Sequence, residues 1–582
     1  MAVVVERTPA KLPLVRRMAT ALEPCFGTRT ARLWTLAMVA LAALGFFHRY
    51  YDIAFQIPLG DEWHSLARAS TREFDDLFRY YERATAIPLN LYQRWLLDNY
   101  SWSELSIRMV SIVATVATLL LLPWAVLGVT RSRLFAAAVM VLFVVSPFWI
   151  FYGQNSRPYA AYLLLLLAVY NFFYRALFSN APRHWFGFAA SGALAVYFHL
   201  YALPAVGSLA LLVLARLVAL FRVDRREALR FLWGSFCGFG GWALLVGALF
   251  ARSLIAGMSG RVPAGKKPQP FDLQFFSHFA ELLTGSRYSW LGWVLIGLSL
   301  VGLVSLARKN VWLVATLLIP TLACIVFTEL VRPRWYFIAI VFLRYDISFF
   351  PLYFLGLARF TERAAAVSLR FWRRFVPSAS SERWGVGAVV LLGLVTLGAS
   401  PTPTLLTIQP NNFRQHSAYQ EFYSKWDLNR VWRNDFFGEI DARTAGEIPD
   451  FYQRFRGRAG NCRLIEFPLA LYEYYVPYNF YQRIHGCEVI AGYSSHDDIG
   501  GMLNLAEHRS KMKFRRLVDL EQPQRVRRKR ADYLIVHHNI RQEVEGKKGI
   551  KTTRDVAIVL EELERSFGPP FYTDRHVSVF KP

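Results

Sequence analysis

The sequence is short of charge. Asp, Glu, Lys and Arg make up 19% of its 582 residues, whereas a typical soluble domain carries about 25%. It holds only five cysteines, too few for a scaffold built on disulfides. Internal repeats and Cys/His spacings typical of a metal site are also missing. These deficits exclude a fibrous chain and a small disulfide-rich domain, and the high apolar content excludes a disordered one.

Apolar residues are abundant instead. Hydrophobic types reach 54%, aromatic types 16%, and the formal net charge is +25. In a soluble protein that charge would suggest a nucleic-acid partner. The apolar fraction points to a membrane protein, so we expect membrane contact and no nucleic-acid partner.

Long apolar stretches predict eleven membrane-spanning helices, since a span needs about 20 mostly apolar residues. Trp185–Ala215 is counted as two spans. Basic residues flank both of its ends, so both ends are predicted to lie on the cytoplasmic side and the chain to turn back near His199 and Tyr201. Trp335–Leu343 is too short to cross and is predicted to lie at the interface. The predicted spans are Leu33–Phe47, Met109–Val129, Leu134–Tyr152, Pro158–Tyr174, two within Trp185–Ala215, Phe231–Phe250, Tyr288–Ala307, Val311–Thr328, Ile347–Phe360 and Trp384–Ala399.

Basic residues set the predicted orientation. Six Lys and Arg residues lie in segment 1–32, which predicts a cytoplasmic N-terminus. An odd number of spans then puts the C-terminus outside. The membrane domain is expected to cover residues 33–400, with long outer loops at 48–108 and 252–287. The first loop is predicted to hold interfacial amphipathic helices, and Val262–Pro270 in the second is predicted to be mobile.

Residues 401–582 have ordinary polar composition and follow a Pro/Thr-rich linker, Pro401–Pro410. Cys462 and Cys487 lie beside predicted strands, where a disulfide in an oxidising compartment and two free buried cysteines are both open. Alternation of strand-like and helical patterns predicts a periplasmic α/β domain. The expected strands are Arg463–Phe467, Glu488–Ala491, Tyr533–Val536 and Val577–Phe580, and the expected helices are Leu469–Arg483, Gly501–Leu517 and Asp555–Phe567.

The fold class expected from these patterns is an α-helical polytopic membrane protein with a C-terminal periplasmic α/β domain.

Two carboxylates follow the first predicted span, in the run Gly60-Asp61-Glu62-Trp63-His64. Adjacent acids at a membrane surface are candidates for a general base or a metal ligand. The alternative is a helix start at which acids interact favourably with the helix dipole. Asp61 and Glu62 cannot point the same way on one helix, so one of them at most does the central chemistry.

Three further candidates come from distant parts of the chain but share the predicted outer face. Arg157 precedes Pro158 at a helix start, which suits an anion such as phosphate; a snorkelling arginine is the alternative. Arg344 could likewise bind an anion or form a structural ion pair with Asp346. His199 lies at the predicted turn and could be a structural residue. Together, an acid and several arginines describe a site for a phosphate-bearing lipid and a nucleophile that loses a proton.

The same residues carry a resemblance. The chain resembles the GT-C superfamily of polytopic glycosyltransferases, in the bacterial branch related to protein O-mannosyltransferases and lipid A aminoarabinose transferases. The resemblance covers about residues 30–365. The matching pieces are Gly60-Asp61-Glu62, Ile87-Pro88-Leu89-Asn90-Leu91-Tyr92, Ser103-Glu104-Leu105-Ser106-Ile107-Arg108, Ser146-Pro147-Phe148, the run from Tyr152 to Ala160, His199 and Arg344-Tyr345.

The sequence departs from the family in two places. Ala86-Ile87-Pro88 stands where the family often has His-Pro-Pro, and Gln154-Asn155-Ser156-Arg157 stands where Gln-Glu-Ala-Arg is common. The missing Glu removes support for a role borrowed at that position.

The resemblance implies an inverting enzyme of the bacterial inner membrane. It would transfer a sugar from a polyprenyl-phosphate donor to a hydroxyl of an envelope glycan, lipid or protein. The catalytic residues would be Asp61 and Glu62: Asp61 would be the base, and Glu62 would orient Asp61 or the acceptor. Donor phosphate binding would fall to Arg157, Arg344 and Tyr345, and substrate orientation to His64, Tyr159 and His199. No cofactor is required, and a divalent cation is left open because some relatives use one.

Two other classes stay open at this stage. A lipid or glycan transporter should show repeats and charges at mid-membrane, whereas most charges here lie at span ends. A non-catalytic glycan-assembly subunit would share the membrane domain. The sequence leaves the sugar, the acceptor and the oligomeric state undetermined.

Overall fold

The computed structural model describes residues 29–50, 53, 62, 65, 69, 77, 86–99, 105–257, 273–331, 339–376, 380–402, 432–434, 438–440, 449–455, 462–470, 485, 487–493, 527, 530–538 and 556–582. Several predictions lie outside these residues. They concern Asp61, His64, the stretch Val262–Pro270, the helix Gly501–Leu517 and most of the helix Leu469–Arg483.

Helices make up the described part of the chain before residue 400. They are α1 (Arg29–Tyr50), α2 (Ile87–Asn99), α3 (Met109–Thr130), α4 (Arg133–Val145), α5 (Pro147–Gly153), α6 (Tyr159–Ser179), α7 (Pro182–Phe198), α8 (Ala202–Gly207), α9 (Ala210–Phe221), α10 (Arg225–Gly257), α11 (Gln274–Thr284), α12 (Ser289–Lys309), α13 (Val311–Val331), α14 (Ala339–Tyr345), α15 (Phe349–Trp372) and α16 (Ser381–Ala399).

The predicted number of eleven spans is not confirmed. Within the described residues, seven helices are long and apolar enough to cross a membrane, or up to nine if each of two bent pairs is one span. Helix α7 has 17 residues, and Arg383–Ala399 within α16 is likewise short. The turn predicted near His199 is confirmed, since α7 ends at Phe198 and α8 begins at Ala202.

Helix ends follow local chemistry. The Ser132 side chain accepts a hydrogen bond from the Phe135 N–H (3.2 Å) and so caps the start of α4. Arg131 ends α3 in the left-handed region at φ 55°, and Asn180 ends α6 at φ 46°. Tight turns therefore connect α3 to α4 and α6 to α7.

Helices α4 and α5 form a bent pair that meets at 64°. Pro147 has no N–H and cannot donate to the carbonyl of Phe143 four residues before it. Ser146 adopts an extended conformation, φ −65° and ψ 115°, and the chain changes direction there. The break points the end of α5 toward the segment that leads to α6.

Helices α14 and α15 form the second bent pair, at 89°. The described part of the predicted interfacial segment, residues 339–343, lies in α14, and the predicted span Ile347–Phe360 corresponds to the bend and the start of α15. The bend leaves Arg344 and Tyr345 at the end of α14.

Helices α12 and α15 approach backbone to backbone. A Cβ at Gly302 would overlap the carbonyl oxygen of Gly356, and one at Gly356 would overlap Ser299. The Ser299 hydroxyl donates to the Tyr353 carbonyl at 2.9 Å. Glycine is therefore required at both contact points.

The four predicted strands of the C-terminal region are confirmed. They are β3 (Arg463–Ala470), β4 (Glu488–Tyr493), β5 (Tyr533–His537) and β7 (Val577–Phe580). With β6 (Tyr572–Thr573) they form a sheet of order β4-β3-β5-β7-β6, in which β4, β3 and β5 are parallel. Strand β3 is longer than expected and takes up Leu469 and Ala470, which had been assigned to a helix.

Short elements accompany this sheet. A separate antiparallel pair joins β1 (Trp432–Asn434) to β2 (Gly438–Ile440). Helix α17 is Asp450–Gln453, and helix α18, Val556–Phe567, matches its prediction closely. The extent 401–582 for a single domain stays a prediction.

Cys462 and Cys487 form a disulfide with a Cα–Cα distance of 4.8 Å. The bond ties the start of β3 to the start of β4 and decides between the two possibilities that the sequence left open. Cys324 on α13 is free and buried, and Cys237 on α10 is free and exposed.

A buried polar cluster lies beside this disulfide. The Tyr452 hydroxyl contacts both Glu466 oxygens (3.0 and 2.9 Å) and His537 Nε2 (3.1 Å). His537 Nε2 is 2.7 Å from Glu466 Oε2. The His485 ring stacks on Tyr452 at 5.2 Å, and its Nδ1 accepts from the Cys487 N–H at 3.0 Å.

This cluster makes domain stability depend on pH. Burial lowers the pKa of His485 from 6.5 to about 4. The unfolded chain therefore binds the proton more readily, and stability that is full above pH 6.5 falls as the pH drops toward 4. The loss attributable to His485 is roughly 3 kcal/mol. The melting temperature of the full chain should be measured at pH 7.5, 6.0 and 4.5. It should fall less steeply with decreasing pH for His485→Gln than for wild type. An equal fall in both proteins would contradict this prediction.

Candidate active site

A buried ion pair is the centre of the site. Arg108 donates from Nε and Nη2 to the two carboxylate oxygens of Glu62, both at 2.8 Å. Its Nη1 donates to the Ile53 carbonyl at 2.8 Å. Both side chains have 0% exposure. The bidentate geometry holds the guanidinium and the carboxylate in one plane.

The Glu62 carboxylate also holds the segment between α5 and α6. The Ser156 N–H donates to Glu62 Oε1 at 2.5 Å. The Ser156 hydroxyl donates to the Ile107 carbonyl and accepts from Gln93 Nε2 at 2.9 Å. Glu62 thus links the chain next to Asp61 to the segment that carries Arg157. Its predicted catalytic role stays a prediction.

Further contacts fix the same segment from the side of α1 and α3. The Ser111 hydroxyl lies 2.6 Å from the Asn155 carbonyl and 3.0 Å from the Arg157 carbonyl. Gln154 Nε2 donates to the His48 carbonyl at 3.1 Å. The short segment before Tyr159 is therefore tied to α1, α2 and α3 together.

Arg49, at the end of α1, supplies the hydrogen bonds that Pro147 removes. Its Nη2 donates to the Phe143 carbonyl at 2.8 Å, and its Nη1 donates to the carbonyls of Val144 (3.3 Å) and Gly45 (2.9 Å). The guanidinium also lies 4.8 Å from the centroid of the Phe143 ring. Carbonyls left open by the break in α4–α5 are thus paired in an apolar environment, where unpaired ones are costly.

The predicted anion-binding residues come together around one tyrosine. The Arg157 guanidinium lies 5.7 Å from the centroid of the Tyr159 ring, and that of Arg344 lies 5.8 Å from the same centroid. Arg344 is also 5.5 Å from the Tyr345 ring. Both arginines are buried, at 5% and 9% exposure. Two cations from separate parts of the chain therefore face a common point.

His199 completes this group. Its ring lies 5.7 Å from Tyr159 and 5.3 Å from Tyr345 and stacks on Tyr162 at 4.7 Å. It lies in the connection between α7 and α8, outside both helices. Burial, with the guanidiniums of Arg157 and Arg344, lowers the pKa of His199 to about 3. The imidazole is therefore neutral, and the positive charge of this group belongs to the arginines.

The ion pair considered for Arg344 and Asp346 is not formed. Both carboxylate oxygens of Asp346 are buried without a hydrogen-bond partner in the described part of the chain. Helix α14 ends at Tyr345 and the chain then bends by 89°, so Asp346 lies in the bend and Arg344 in the last turn of the helix. Arg344 turns toward Tyr159 instead.

Sequence reasoning missed Arg49, Gln93 and Ser111, and it quoted Arg108 only as part of a motif. Each is a single polar residue within an apolar run or at a helix end, and only the pairing partner reveals its role. Asp61 and His64 lie outside the described residues. Among the residues that are described, no group of three His, Cys, Asp or Glu could hold a metal ion, and the divalent cation stays a prediction.

A comparison with protein-family models finds no match, and a comparison with curated protein sequences finds none either. The chain is similar to two solved structures of ArnT from Cupriavidus metallidurans. The apo structure matches with a TM-score of 0.48 and 12% identity over 95% of this chain and 98% of the other. The structure bound to undecaprenyl phosphate matches with a TM-score of 0.47 and 11% identity over 94% and 97%. Similarity at this level assigns no role to any residue of this chain.

Removal of one partner of the Glu62–Arg108 pair should strongly destabilise the protein. Arg108→Ala leaves a buried carboxylate without its cation, at a cost of roughly 3–5 kcal/mol. The double variant Glu62→Ala/Arg108→Ala should lose less than the sum of the single variants. Thermal unfolding of the purified full chain measures this. Arg565→Ala, which breaks the exposed pair with Glu561, serves as control and should change stability little; strictly additive losses would contradict the coupling.

Arg49→Lys should loosen the break between α4 and α5. A lysine keeps the charge but cannot match the fork of the guanidinium. Each carbonyl left unpaired costs about 1–3 kcal/mol, so the melting temperature should fall by several degrees. Arg183→Lys, at the start of α7, is the matched control. A wild-type melting temperature for Arg49→Lys would show that these hydrogen bonds do not stabilise the break.

Proposed function

We propose that the chain is an inverting glycosyltransferase of the GT-C type. It would transfer a sugar from a polyprenyl-phosphate donor to a hydroxyl group of an envelope acceptor. The observation that carries the proposal is the convergence of the buried guanidiniums of Arg157 and Arg344 on the ring of Tyr159. The motif resemblance supports the same reading.

The two guanidiniums suit a lipid-linked phosphate. Arginine binds phosphate through paired N–H donors in a planar fork. His199 Nδ1 accepts from the Tyr201 N–H at 3.4 Å, and its Nε2 is buried without a hydrogen-bond partner in the described part of the chain, so the ring can add an N–H donor beside the two guanidiniums. A buried cationic site stabilises negative charge better than the same groups would in water.

The reaction would proceed in one displacement. The acceptor oxygen attacks the anomeric carbon while its proton passes to the Asp61 carboxylate. The bond between that carbon and the phosphate oxygen breaks, and the electron pair stays on the lipid phosphate. The anomeric configuration inverts. Arg157 and Arg344 stabilise the charge that grows on the leaving group.

The Glu62–Arg108 pair would hold the base in place. Glu62 is adjacent to Asp61 in sequence, and its carboxylate is fixed by Arg108 and the Ser156 N–H. The same contacts hold Glu62, the sequence neighbour of the base, against the segment bearing Arg157. Glu62 therefore serves as a positioning residue in this proposal. Tyr345 would help to bind the donor phosphate, and His64, Tyr159 and His199 would orient the substrates.

The proposed location is the bacterial inner membrane, with the N-terminus cytoplasmic and the C-terminal α/β domain periplasmic. A disulfide in that domain suits an oxidising compartment. The acceptor would be lipid A or another envelope polysaccharide, lipid or protein. No organic cofactor is required in this proposal, and a divalent cation is left open; chelation with EDTA decides it, since unchanged transfer would exclude an exchangeable metal and lost transfer restored by Mg²⁺ or Mn²⁺ would require one.

A transfer assay tests the proposal. Purified full-length protein is incubated with undecaprenyl-phosphate-linked mannose, aminoarabinose, galacturonate or N-acetylhexosamine and with an envelope extract. Wild type should consume one of these donors and release undecaprenyl phosphate. Asp61→Asn should be slower by about 10²–10⁴-fold, and Arg157→Gln and Arg344→Gln by about 10²–10³-fold. Glu227→Gln and Arg183→Gln, exposed changes of the same chemistry, should retain wild-type rates.

The outcomes separate the rival functions. Full activity of a folded Asp61→Asn variant would remove the base assignment. If wild type consumes no donor but moves lipid-linked sugar across the membrane of vesicles that contain it, the chain is a transporter. If it does neither, it is a non-catalytic subunit. Mass spectrometry of envelope glycans from a deletion strain identifies the sugar and the acceptor.

A further inference from the structure

A large cavity lies between helices α3, α4, α5, α6, α13 and α15. Its volume is about 420 Å³. The lining includes Trp149 and Phe350, and it also includes Arg175 and Thr130, which lie near the C-terminal ends of α6 and α3 and make that end of the lining polar. Tyr159 and Arg175 are 16 residues apart on α6, so the polar end is roughly 24 Å from the candidate active site.

The walls of the cavity are apolar in character. Its threonine hydroxyls are used within their own helices: Thr118 donates to the Ala114 carbonyl (2.8 Å) and Thr316 to the Trp312 carbonyl (2.7 Å). Among the residues that the structure describes, Arg175 is the only charged one in the lining, and none of them contributes a carboxylate there. An apolar cavity of this kind excludes water, and leaving it empty forfeits dispersion contacts.

Arg175 is held at the mouth of this cavity. Its Nε donates to Asn171 Oδ1 at 3.1 Å. A Cβ at Gly128 would lie 2.8 Å from Arg175 Nη2, so the glycine of α3 leaves room for the guanidinium. Within the described residues, no salt bridge joins Arg175 to a carboxylate. The outer edge of the guanidinium is thus positioned for an anion.

We propose that this cavity binds an anionic phospholipid, with one acyl chain between α3 and α6 and the phosphate against Arg175. The apolar walls match an acyl chain, and the single cation at the mouth matches a phosphodiester. A zwitterionic lipid offers the same chain but carries a compensating cation beside its phosphate. The site is separate from the one proposed for the donor, and it does not depend on the proposed function.

Retention of defined lipids tests the proposal. The full chain is delipidated in detergent and supplied with equal amounts of phosphatidylglycerol and phosphatidylcholine that carry the same acyl chains. Native mass spectrometry then counts the lipids that stay bound. Wild type should retain phosphatidylglycerol over phosphatidylcholine by about tenfold, as expected for one charge-assisted contact.

Two variants separate the contributions of charge and shape. Arg175→Gln should bring the ratio of the two lipids close to one, whereas Arg183→Gln at the same end of the helices should preserve it. Ala168→Phe, which fills the cavity, should reduce retention of both lipids. If Ala168→Phe melts at a lower temperature than wild type, its loss of lipid could come from destabilisation. Leu121→Trp at the rim of the cavity then serves as a second filling variant. Ala37→Phe on the exposed face of α1 is the control and should retain lipid normally.

Four results would overturn the proposal. Equal retention of both lipids by wild type would remove the charge argument, as would a wild-type ratio for Arg175→Gln. Unchanged retention by both filling variants would show that the lipid binds elsewhere. Displacement of phosphatidylglycerol by undecaprenyl phosphate, with loss of transfer activity in the filling variants, would assign the cavity to the donor's chain instead.

Discussion

The buried pair of Glu62 and Arg108 is the contact on which the geometry of the site depends. It joins the region after α1 to the start of α3, and through the Ser156 N–H it reaches the segment before α6. A bidentate pair with no exposure admits one arrangement, because any sliding would leave a charge unpaired in an apolar setting. With the contacts of Ser111, Gln154 and Ser156, this pair fixes the position of the Arg157 segment relative to Glu62.

A second constraint acts through the backbone. Pro147 and the extended Ser146 turn the chain between α4 and α5, and the carbonyls of Phe143 and Val144 would be left open. Arg49 pairs them from the end of α1. In a membrane every backbone polar group needs a partner within the protein, so a break of this kind requires a donor from another helix. The break then serves to aim the loop that carries Arg157.

The sequence predicted the parts of the fold that depend on local pattern. Strands β3, β4, β5 and β7 and helix α18 appear where alternation and periodicity indicated them. The number of spans was harder to predict, because the length of an apolar stretch does not reveal a bend such as the one of 89° after Tyr345. For the site, end-of-helix arginines identified Arg157 and Arg344, but their approach to one ring depends on packing between distant helices. The Arg49 and Arg108 contacts were beyond prediction for the same reason, since their partners lie up to 95 residues away in sequence.

The contact between Gly302 and Gly356 limits how α12 and α15 can shift against each other. There are no side chains between the two glycines, and Ser299 hydrogen-bonds to Tyr353 across the same contact. A shift of α12 along α15 would bring a larger residue against the opposite backbone, which the spacing at Gly302 and Gly356 does not accommodate. The pair therefore behaves as one unit of the helical domain, and a substitution of either glycine would displace the helix that follows the bend at Arg344 together with α12.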